Sequence, residues 1–122
     1  MRRRWAVPAV VAVLLAGCGG NSDAAAVRKV AVDFYTAFTA GDGSTACSLL
    51  TPREARSAGG AGGTPSCVAG LGSIGRGLPP ATFTKSTVHG NMATATLTAQ
   101  TGTPIQLTLV KVGGKWKVDR FM

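Results

Sequence analysis

Apolar residues recur at spacings of three and four along the segment that follows residue 23. The apolar stripe consists of Val27, Val30, Ala31, Phe34 and Phe38. This spacing is typical of one face of an amphipathic helix. Ser22 or Asp23 is expected to cap the start of the helix. Gly41 is expected to end it, because the residue after the last helical turn is most often a glycine in the left-handed conformation.

Short helices are predicted in the next segment. The stretch STACSLL is expected to form a helix capped by Ser44. The stretch TPRE, from Thr51 to Glu54, predicts the start of another helix, with the threonine as its cap and the proline as its first residue. The glutamate is three residues after the cap, where its side chain would accept a hydrogen bond from the backbone N–H of the threonine in a capping box. This helix is expected to stop in the GGAGG stretch of residues 59–63. Ser66 is expected to cap one further turn.

From residue 81 onward the apolar period changes to two, which is the period of a β-strand. Residues 81–100 predict two strands joined by a turn at 89–91, with threonines on one face. The other face carries the apolar residues Ala93, Ala95, Leu97 and Ala99. Residues 103–122 predict a hairpin about the glycines at 113–114, because a two-residue turn of this kind suits the twist of its strands.

The register of this last hairpin places a set of apolar residues on one face. The predicted cross-strand pairs are Leu109 with Val118, Lys111 with Trp116, and Leu107 with Arg120. The shared apolar face then contains Ile105, Leu107, Leu109, Trp116 and Val118. Helices first and antiparallel strands afterwards predict an α+β domain, with N-terminal helices packed on one face of a four-stranded sheet.

A separate apolar run precedes this domain and ends at a cysteine. Three arginines near the start are followed by an uncharged stretch from Trp5 to Gly17. This is the layout of a secretory signal peptide, and the stretch is shorter than the roughly 20 residues that a spanning helix needs. The motif LAGC, which ends at Cys18, resembles the lipobox of bacterial lipoproteins. In that family the cysteine thiol receives diacylglycerol, the peptide bond before it is cut, and the new amino terminus can be acylated.

The lipobox resemblance implies that residues 1–17 are a cleaved signal peptide and that Cys18 is lipidated. Residues 18–23 are expected to be a short tether before a single domain of residues 24–122. General secretory export is expected, because no further residue of a twin-arginine motif follows the arginines. The protein would lie on the extracytoplasmic face of a cell membrane, since two or more acyl chains give stable anchoring. The alternatives are an ordinary secretory signal with a chance cysteine, or a short anchor left uncleaved.

The cysteine count supports an exported protein with one disulfide. Three cysteines are an odd number, but lipid attachment at Cys18 leaves two. Cys47 and Cys67 are therefore expected to form a disulfide, which persists outside the cytoplasm. A metal pair or a redox-active thiol pair is disfavoured, because the chain has no CxxC and a single histidine, His89. No metal and no cofactor are expected.

The distribution of charge disfavours a nucleic-acid partner. The formal net charge of +8 falls to +5 when the three arginines of residues 1–17 are removed. The remaining basic residues are dispersed, and their one local grouping consists of Lys111, Lys115, Lys117 and Arg120. Nucleic-acid binding needs a clustered basic face with stacking aromatics. We instead expect a lightly basic surface lying over anionic lipid.

Three stretches, FYTAFTAGDG, ACSLLTPREAR and LVKVGGKWKVDRF, together resemble the nuclear transport factor 2-like superfamily. They resemble most the small lipoproteins and secreted domains of bacteria that carry this fold, and the resemblance covers most of residues 24–122. It implies a curved antiparallel sheet wrapped about a long first helix, forming a cone that can enclose an apolar pocket. The candidates for lining such a pocket, unless they fill it, are Phe34, Phe38, Leu109 and Trp116.

The best-known enzymes of this superfamily are steroid isomerases, in which a tyrosine on the first helix donates to a developing oxyanion and an aspartate acts as base. Alignment on residues 40–42 places Phe34 at the position of that tyrosine, and a phenylalanine has no donor. Tyr35 is its neighbour but is turned about 100° around the helix axis. The resemblance therefore implies no isomerase activity for this chain.

Other candidate catalytic residues are few. No aspartate or glutamate occurs from residue 55 to residue 118, and Asp33 and Asp119 are expected to be solvated surface residues. His89 is expected to be an exposed turn residue rather than part of a triad. The GLGSIG stretch of residues 70–75 fits GxGxxG but lacks the strand, helix and acidic residue of a dinucleotide site, so a flexible loop is expected.

No set of residues in the sequence therefore names an activity. We expect a non-enzymatic, membrane-anchored accessory lipoprotein that binds an unknown protein partner or serves as a scaffold. The alternative is a carrier of a small apolar ligand, or a minor enzyme, with a pocket between the first helix and the sheet. The volume of that pocket distinguishes the two functions.

Overall fold

The computed structural model describes the backbone of residues 6–59 and 64–121, and the side chains of residues 22–59 and 65–121. The elements in these ranges are α1 (Ala6–Ala40), α2 (Gly43–Ser48), α3 (Pro52–Gly59), α4 (Thr64–Ile74), β1 (Ala81–His89), β2 (Met92–Ala99), β3 (Pro104–Val112) and β4 (Lys115–Phe121). The strands form one antiparallel sheet in the order β1-β2-β3-β4. The predicted α+β class, with helices packed on a four-stranded antiparallel sheet, is confirmed.

Helix α1 packs its predicted apolar stripe against the sheet. Val27, Ala31, Phe34 and Phe38 are buried, and Val30 is half-buried. The helix ends at Ala40, and Gly41 follows in the left-handed conformation with φ +78°. The predicted end of the helix is therefore confirmed, together with its apolar face.

The start of α1 differs from the prediction. The helix begins at Ala6 and continues through residues 18–23, where a tether and a cap at Ser22 or Asp23 were expected. The Asp23 carboxylate does not cap the helix. It accepts hydrogen bonds from Lys111 Nζ at 2.9 Å and Trp116 Nε1 at 3.2 Å. Asp23 is therefore bound to the sheet from within the helix, and the run of alanines after it favours helical structure.

Helices α2 and α4 are joined by the predicted disulfide. Cys47 and Cys67 are bonded, with their α-carbons 6.1 Å apart. The two helices approach closely at Gly43, where a β-carbon would overlap the carbonyl oxygen of Val68. A buried disulfide and a glycine contact therefore fix α2 against α4.

The caps of α2 and α3 agree only in part with the sequence prediction. Asp42 rather than Ser44 caps α2, because its carboxylate accepts a hydrogen bond from the backbone N–H of Thr45 at 3.2 Å. Thr51 caps α3 as predicted, since its Oγ1 accepts from the N–H of Glu54 at 3.2 Å. The Thr51 N–H donates to the carbonyl oxygen of Val118 at 2.9 Å. Contact with β4 thus replaces the second half of the predicted capping box.

Helix α4 is longer than the single turn predicted at Ser66. It runs from Thr64 to Ile74 and includes most of the GLGSIG stretch, so the prediction of a flexible loop there was wrong. Cys67 and Leu71 lie on the apolar side of this helix and are buried in the core. Their burial outweighs the roughly 1 kcal/mol by which each helical glycine is less favourable than alanine. Helix α3 ends at Gly59, and residues 60–63 lie outside the described residues.

The strands follow the predicted alternation. The apolar residues of β2, which are Ala93, Ala95, Leu97 and Ala99, are all buried beneath the helices. In the last hairpin Leu109 pairs with Val118 and Lys111 with Trp116, as predicted. Leu107 pairs with Phe121 instead of Arg120, because a bulge between Thr108 and Leu109 shifts the register. The shift turns Phe121 towards the helices.

The two ends of the sheet are different in structure. The turns at residues 90–91 and 113–114 lie at one end, here called the hairpin end, and the turn at 100–103 and the end of β4 lie at the other, here called the distal end. From Asp23, which contacts Lys111 at the hairpin end, helix α1 runs to the distal end, where Phe38 contacts Phe121. Among the described residues, no helix is both long and apolar enough to cross a bilayer.

Candidate functional site

An apolar cavity of about 550 Å³ lies at the distal end, between α1, the end of α4 and the sheet. The sheet contributes Ala99, Ile105, Leu107 and Phe121 to its lining. Ala99 contributes a small side chain to the lining, and the register shift at the bulge brings in Phe121. The bulge in β3 therefore decides which residue of β4 forms this part of the wall.

One wall of the cavity is a cluster of three phenylalanines. The rings of Phe34 and Phe38 are stacked with centroids 5.7 Å apart. The Phe121 ring lies 5.0 Å from Phe34 and 5.5 Å from Phe38, tilted against both. Such pairs are stabilised beyond the burial of their area. Phe34 is 0% exposed, so this wall is a packed part of the core.

Tyr35 also lines the cavity and connects α1 to the segment before β1. Its hydroxyl donates a hydrogen bond to the carbonyl oxygen of Pro79 at 3.0 Å. Burial raises the pKa of the Tyr35 phenol, which therefore remains a neutral donor. Sequence reasoning set Tyr35 aside because it is turned away from Phe34. Its spacing of three from Phe38 was the signal that could have placed it at the cavity.

The mouth of the cavity has an apolar rim. Ile74 is 65% exposed and Leu78 is 43% exposed, and both border the opening. The end of α4 is held close to α1 at Gly75, where a β-carbon would overlap the carbonyl oxygen of Phe38. The hydroxyls of Thr101 and Thr103, 3.0 Å apart, provide the polar side of the rim.

The structure separates the four residues that were expected to line a pocket. Phe34 and Phe38 line the cavity, whereas Leu109 and Trp116 are buried nearer the hairpin end and are not part of its lining. The indole of Trp116 donates to Asp23. Large side chains thus fill the core at the hairpin end and leave the cavity at the distal end.

The candidate carboxylates serve structural contacts. Asp119 accepts hydrogen bonds from Arg53 Nη2 at 2.6 Å and Thr51 Oγ1 at 2.8 Å. The Arg53 guanidinium lowers the pKa of Asp119 despite partial burial of the carboxyl, and Thr51 lowers it further. Asp119 is therefore a partly buried connector between α3 and β4, not the solvated residue that was predicted. Asp33 lies on the surface, paired with Lys29 at 2.8 Å.

His89 is exposed at the end of β1, as predicted. No group of three or more histidine, cysteine or acidic side chains suited to a metal occurs in the described part of the chain. Cys18, the residue expected to be lipidated, lies within helix α1, and its side chain is outside the described residues.

The chain matches no protein-family model, and no significantly similar curated protein or solved structure is found.

Proposed function

We propose that this protein is a lipid-anchored binding protein on the extracytoplasmic face of a cell membrane, and that its domain holds a small apolar ligand. The observation that supports this function is the cavity between α1 and the sheet. Its volume of about 550 Å³ is within the roughly 300–1,000 Å³ typical of small-molecule sites. The carrier function, the alternative in the sequence analysis, is therefore favoured over a scaffold with a filled core.

The anchoring part of the proposal is supported by the LAGC motif and the charged, apolar run before it. Helices packed on a four-stranded antiparallel sheet are compatible with a nuclear transport factor 2-like cone, the fold of the lipoproteins that the sequence resembles. In this proposal the lipid at Cys18 holds the domain at the membrane, and the cone provides the ligand site.

Binding without catalysis is supported by the chemistry of the lining. Its polar side chains in the described residues are the hydroxyls of Tyr35, Thr101 and Thr103, with no carboxylate or imidazole to move a proton. Phe34, in the matching position of the isomerase tyrosine, has no donor. Affinity would come mainly from burial of apolar surface, at about 25 cal/mol per Å² before the cost of association.

A protein partner is the second candidate, favoured by the exposure of Ile74 and Leu78 at the rim. An apolar side chain of such a partner would enter the same cavity. Small ligand and partner would then compete, and this competition distinguishes a shared site from two separate ones.

The test is binding of a fluorescent fatty acid and a fluorescent sterol to the purified protein. Ile105→Trp narrows the cavity, and Thr108→Trp places the same side chain on the opposite face of β3. We expect Ile105→Trp to weaken binding about tenfold or more, because it removes apolar contact area, and Thr108→Trp to leave it unchanged. Ile105→Ala, which enlarges the cavity, should retain binding and serves as a control for the site.

The outcomes separate the proposal from its rivals. Equal weakening by Ile105→Trp and Thr108→Trp would contradict binding in the cavity, provided that both variants keep the wild-type circular dichroism spectrum. Saturable binding with no turnover of a ketosteroid supports the non-enzymatic function. Turnover would contradict it. The native Trp116 is not a reporter for this cavity, because it lies nearer the hairpin end.

A further inference from the structure

We propose that the hairpin end of the sheet carries a surface that rests on an anionic lipid bilayer. This inference depends on the lipid anchor of the proposed function, and it adds which face of the domain meets the membrane. The surface, here called the membrane-facing patch, consists of Met92, Val110 and Val112 with Lys115 and Lys117 beside them.

The apolar part of the patch is continuous across two strands. Met92 and Val110 are direct cross-strand partners on the face of the sheet turned away from the helices, and Val112 follows two residues later on the same face. Met92 is 56% exposed and Val112 is 47% exposed. These are two of the four large apolar residues that are exposed in the described part of the chain, and the other two border the cavity.

Basic residues flank this apolar surface. Lys115 pairs with Val112, and Lys117 pairs with Val110. The Nζ of Lys117 donates a hydrogen bond to the carbonyl oxygen of Ser48 at 2.7 Å. An apolar centre with lysines at its side suits the interface of an anionic bilayer, where lysine is attracted by the negative surface potential.

Acidic residues do not oppose this attraction. The chain has five aspartates and glutamates, and Asp23, which lies at the hairpin end, is paired with Lys111 at 2.9 Å. The other four lie on the middle of α1, at the caps of α2 and α3, or near the end of β4. Lys115 and Lys117 therefore leave a net positive charge at the hairpin end.

The position of the anchor favours a bilayer as the occupant. Cys18 lies five residues before Asp23, and Asp23 is held at the hairpin end by Lys111 and Trp116. Five residues span roughly 7.5 Å as a helix and at most about 18 Å when extended. A lipid on Cys18 would therefore enter the bilayer beside the hairpin end of the sheet, which is the end that carries the membrane-facing patch.

This orientation places the cavity on the side away from the membrane. Met92 and Ala99 mark the two ends of β2, and seven residue steps of a strand correspond to roughly 23 Å. Ala99 lines the cavity. The apolar ligand would therefore enter from the aqueous side and not directly from the bilayer beneath the domain.

The experiment uses the full-length lipidated protein in vesicles. A free cysteine is introduced by Val112→Cys in the patch, or by Thr101→Cys at the distal end as the matched control, and is labelled with a fluorophore. Lipids that carry a quencher in the acyl region then report how closely each label approaches the bilayer. We expect quenching at Val112→Cys to be at least threefold stronger than at Thr101→Cys in vesicles with phosphatidylglycerol, and weaker in pure phosphatidylcholine.

A charge reversal tests the lysine contribution. Lys115→Glu should lower the ratio of domains with the patch on the bilayer to domains with the patch away from it by roughly fivefold or more, which is the effect of about one basic residue at an anionic surface. The quenching of the label at Val112→Cys measures this ratio. Lys85→Glu is the control, since Lys85 lies on the same face of the sheet but four residues further from the hairpin end than His89.

The outcomes distinguish this inference from the proposed function. Mass spectrometry of the same sample shows whether Cys18 is lipidated. A lipidated Cys18 with equal quenching at the two labels would overturn the membrane-facing patch and leave the anchor intact. An unmodified Cys18 would overturn both. Ligand binding in the cavity is measured separately and depends on neither result.

Discussion

Arg53 and Asp119, separated by 66 residues in the sequence, are joined by a hydrogen-bonded ion pair with 2.6 Å between Nη2 and Oδ2. The same carboxylate accepts from the Thr51 hydroxyl. Because Thr51 also caps α3, these contacts connect the start of that helix to the last strand. The bulge in β3 and the turn of Phe121 into the cavity lie in the adjacent part of the sheet.

The first prediction concerns the pH dependence of stability. Arg53 holds the folded-state pKa of Asp119 below its ordinary value of 3.8. The contribution of this carboxylate is therefore present above that value and is lost as the pH falls through the folded-state pKa. We expect Asp119→Asn to be less stable than the wild type at about pH 6, with the difference in unfolding free energy narrowing as the pH falls below 3.8. Urea denaturation over a series of pH values measures this difference, and a difference that does not change with pH would contradict the prediction.

The second prediction separates two candidate caps. Thr51→Ala removes the cap of α3 and a hydrogen bond to Asp119, so the free energy of unfolding should fall by about 1–2 kcal/mol. Ser44→Ala should have almost no effect, because Asp42 caps α2. Urea denaturation of the two variants measures the difference. Equal losses would mean that Ser44 is the cap of α2 after all.

The third prediction compares two helical glycines. Gly43→Ala would place a β-carbon against the Val68 carbonyl, so helices α2 and α4 would have to separate. Gly70→Ala meets only the carbonyl oxygen of Ala58, at 3.6 Å, an ordinary contact. We expect Gly43→Ala to lower the melting temperature and Gly70→Ala to raise it, since alanine is favoured over glycine in a helix by up to about 1 kcal/mol. Thermal denaturation measures both, and a rise for Gly43→Ala would refute the close approach.

The fourth prediction concerns the disulfide. The bridge joins residues 20 apart in sequence, and a loop of this size is stabilised by roughly 3 kcal/mol in the chain-entropy model. Replacing both Cys47 and Cys67 with alanine should therefore lower the free energy of unfolding by about that amount. Non-reducing mass spectrometry of protein from the cell envelope should find the two peptides linked. Two free thiols in that sample would contradict the prediction.

The fifth prediction concerns the anchor. Wild-type protein from intact cells should partition into detergent and carry a lipid-modified amino terminus at Cys18. Cys18→Ser should be released or left unprocessed, because the thiol that accepts the lipid is gone. Recovery of the unmodified wild-type protein from the medium would show that the lipobox interpretation is wrong.

The sequence was sufficient for features that depend on neighbouring residues. Local periodicity predicts the apolar stripe from Val27 to Phe38 and the change from helical to strand period at residue 81. The backbone freedom of glycine predicts the turn of the last hairpin. The Cys47–Cys67 disulfide followed from counting, because only two cysteines remain after Cys18. Each of these predictions needs no knowledge of distant contacts, and each of the structural ones is confirmed.

Tertiary contacts decided the rest. Burial of Cys67 and Leu71 converts GLGSIG from an expected loop into helix, since packing exceeds the cost of its glycines. The Asp23 contacts with Lys111 and Trp116 override the expected break in α1. Both effects arise from side chains far away in sequence, which a local pattern does not contain.

The cavity also divides into a part that the sequence determined and a part that only the tertiary structure decided. Sequence alone determined that Phe34 and Phe38 face the sheet, and it grouped them with Leu109 and Trp116 as one apolar surface. Only the tertiary structure decided that Trp116 is buried in the core at the hairpin end, while a cavity lined by Ala99 and Phe121 lies at the distal end. The reason is geometric: whether facing side chains fill a volume depends on strand register and helix position, and both are set by long-range packing.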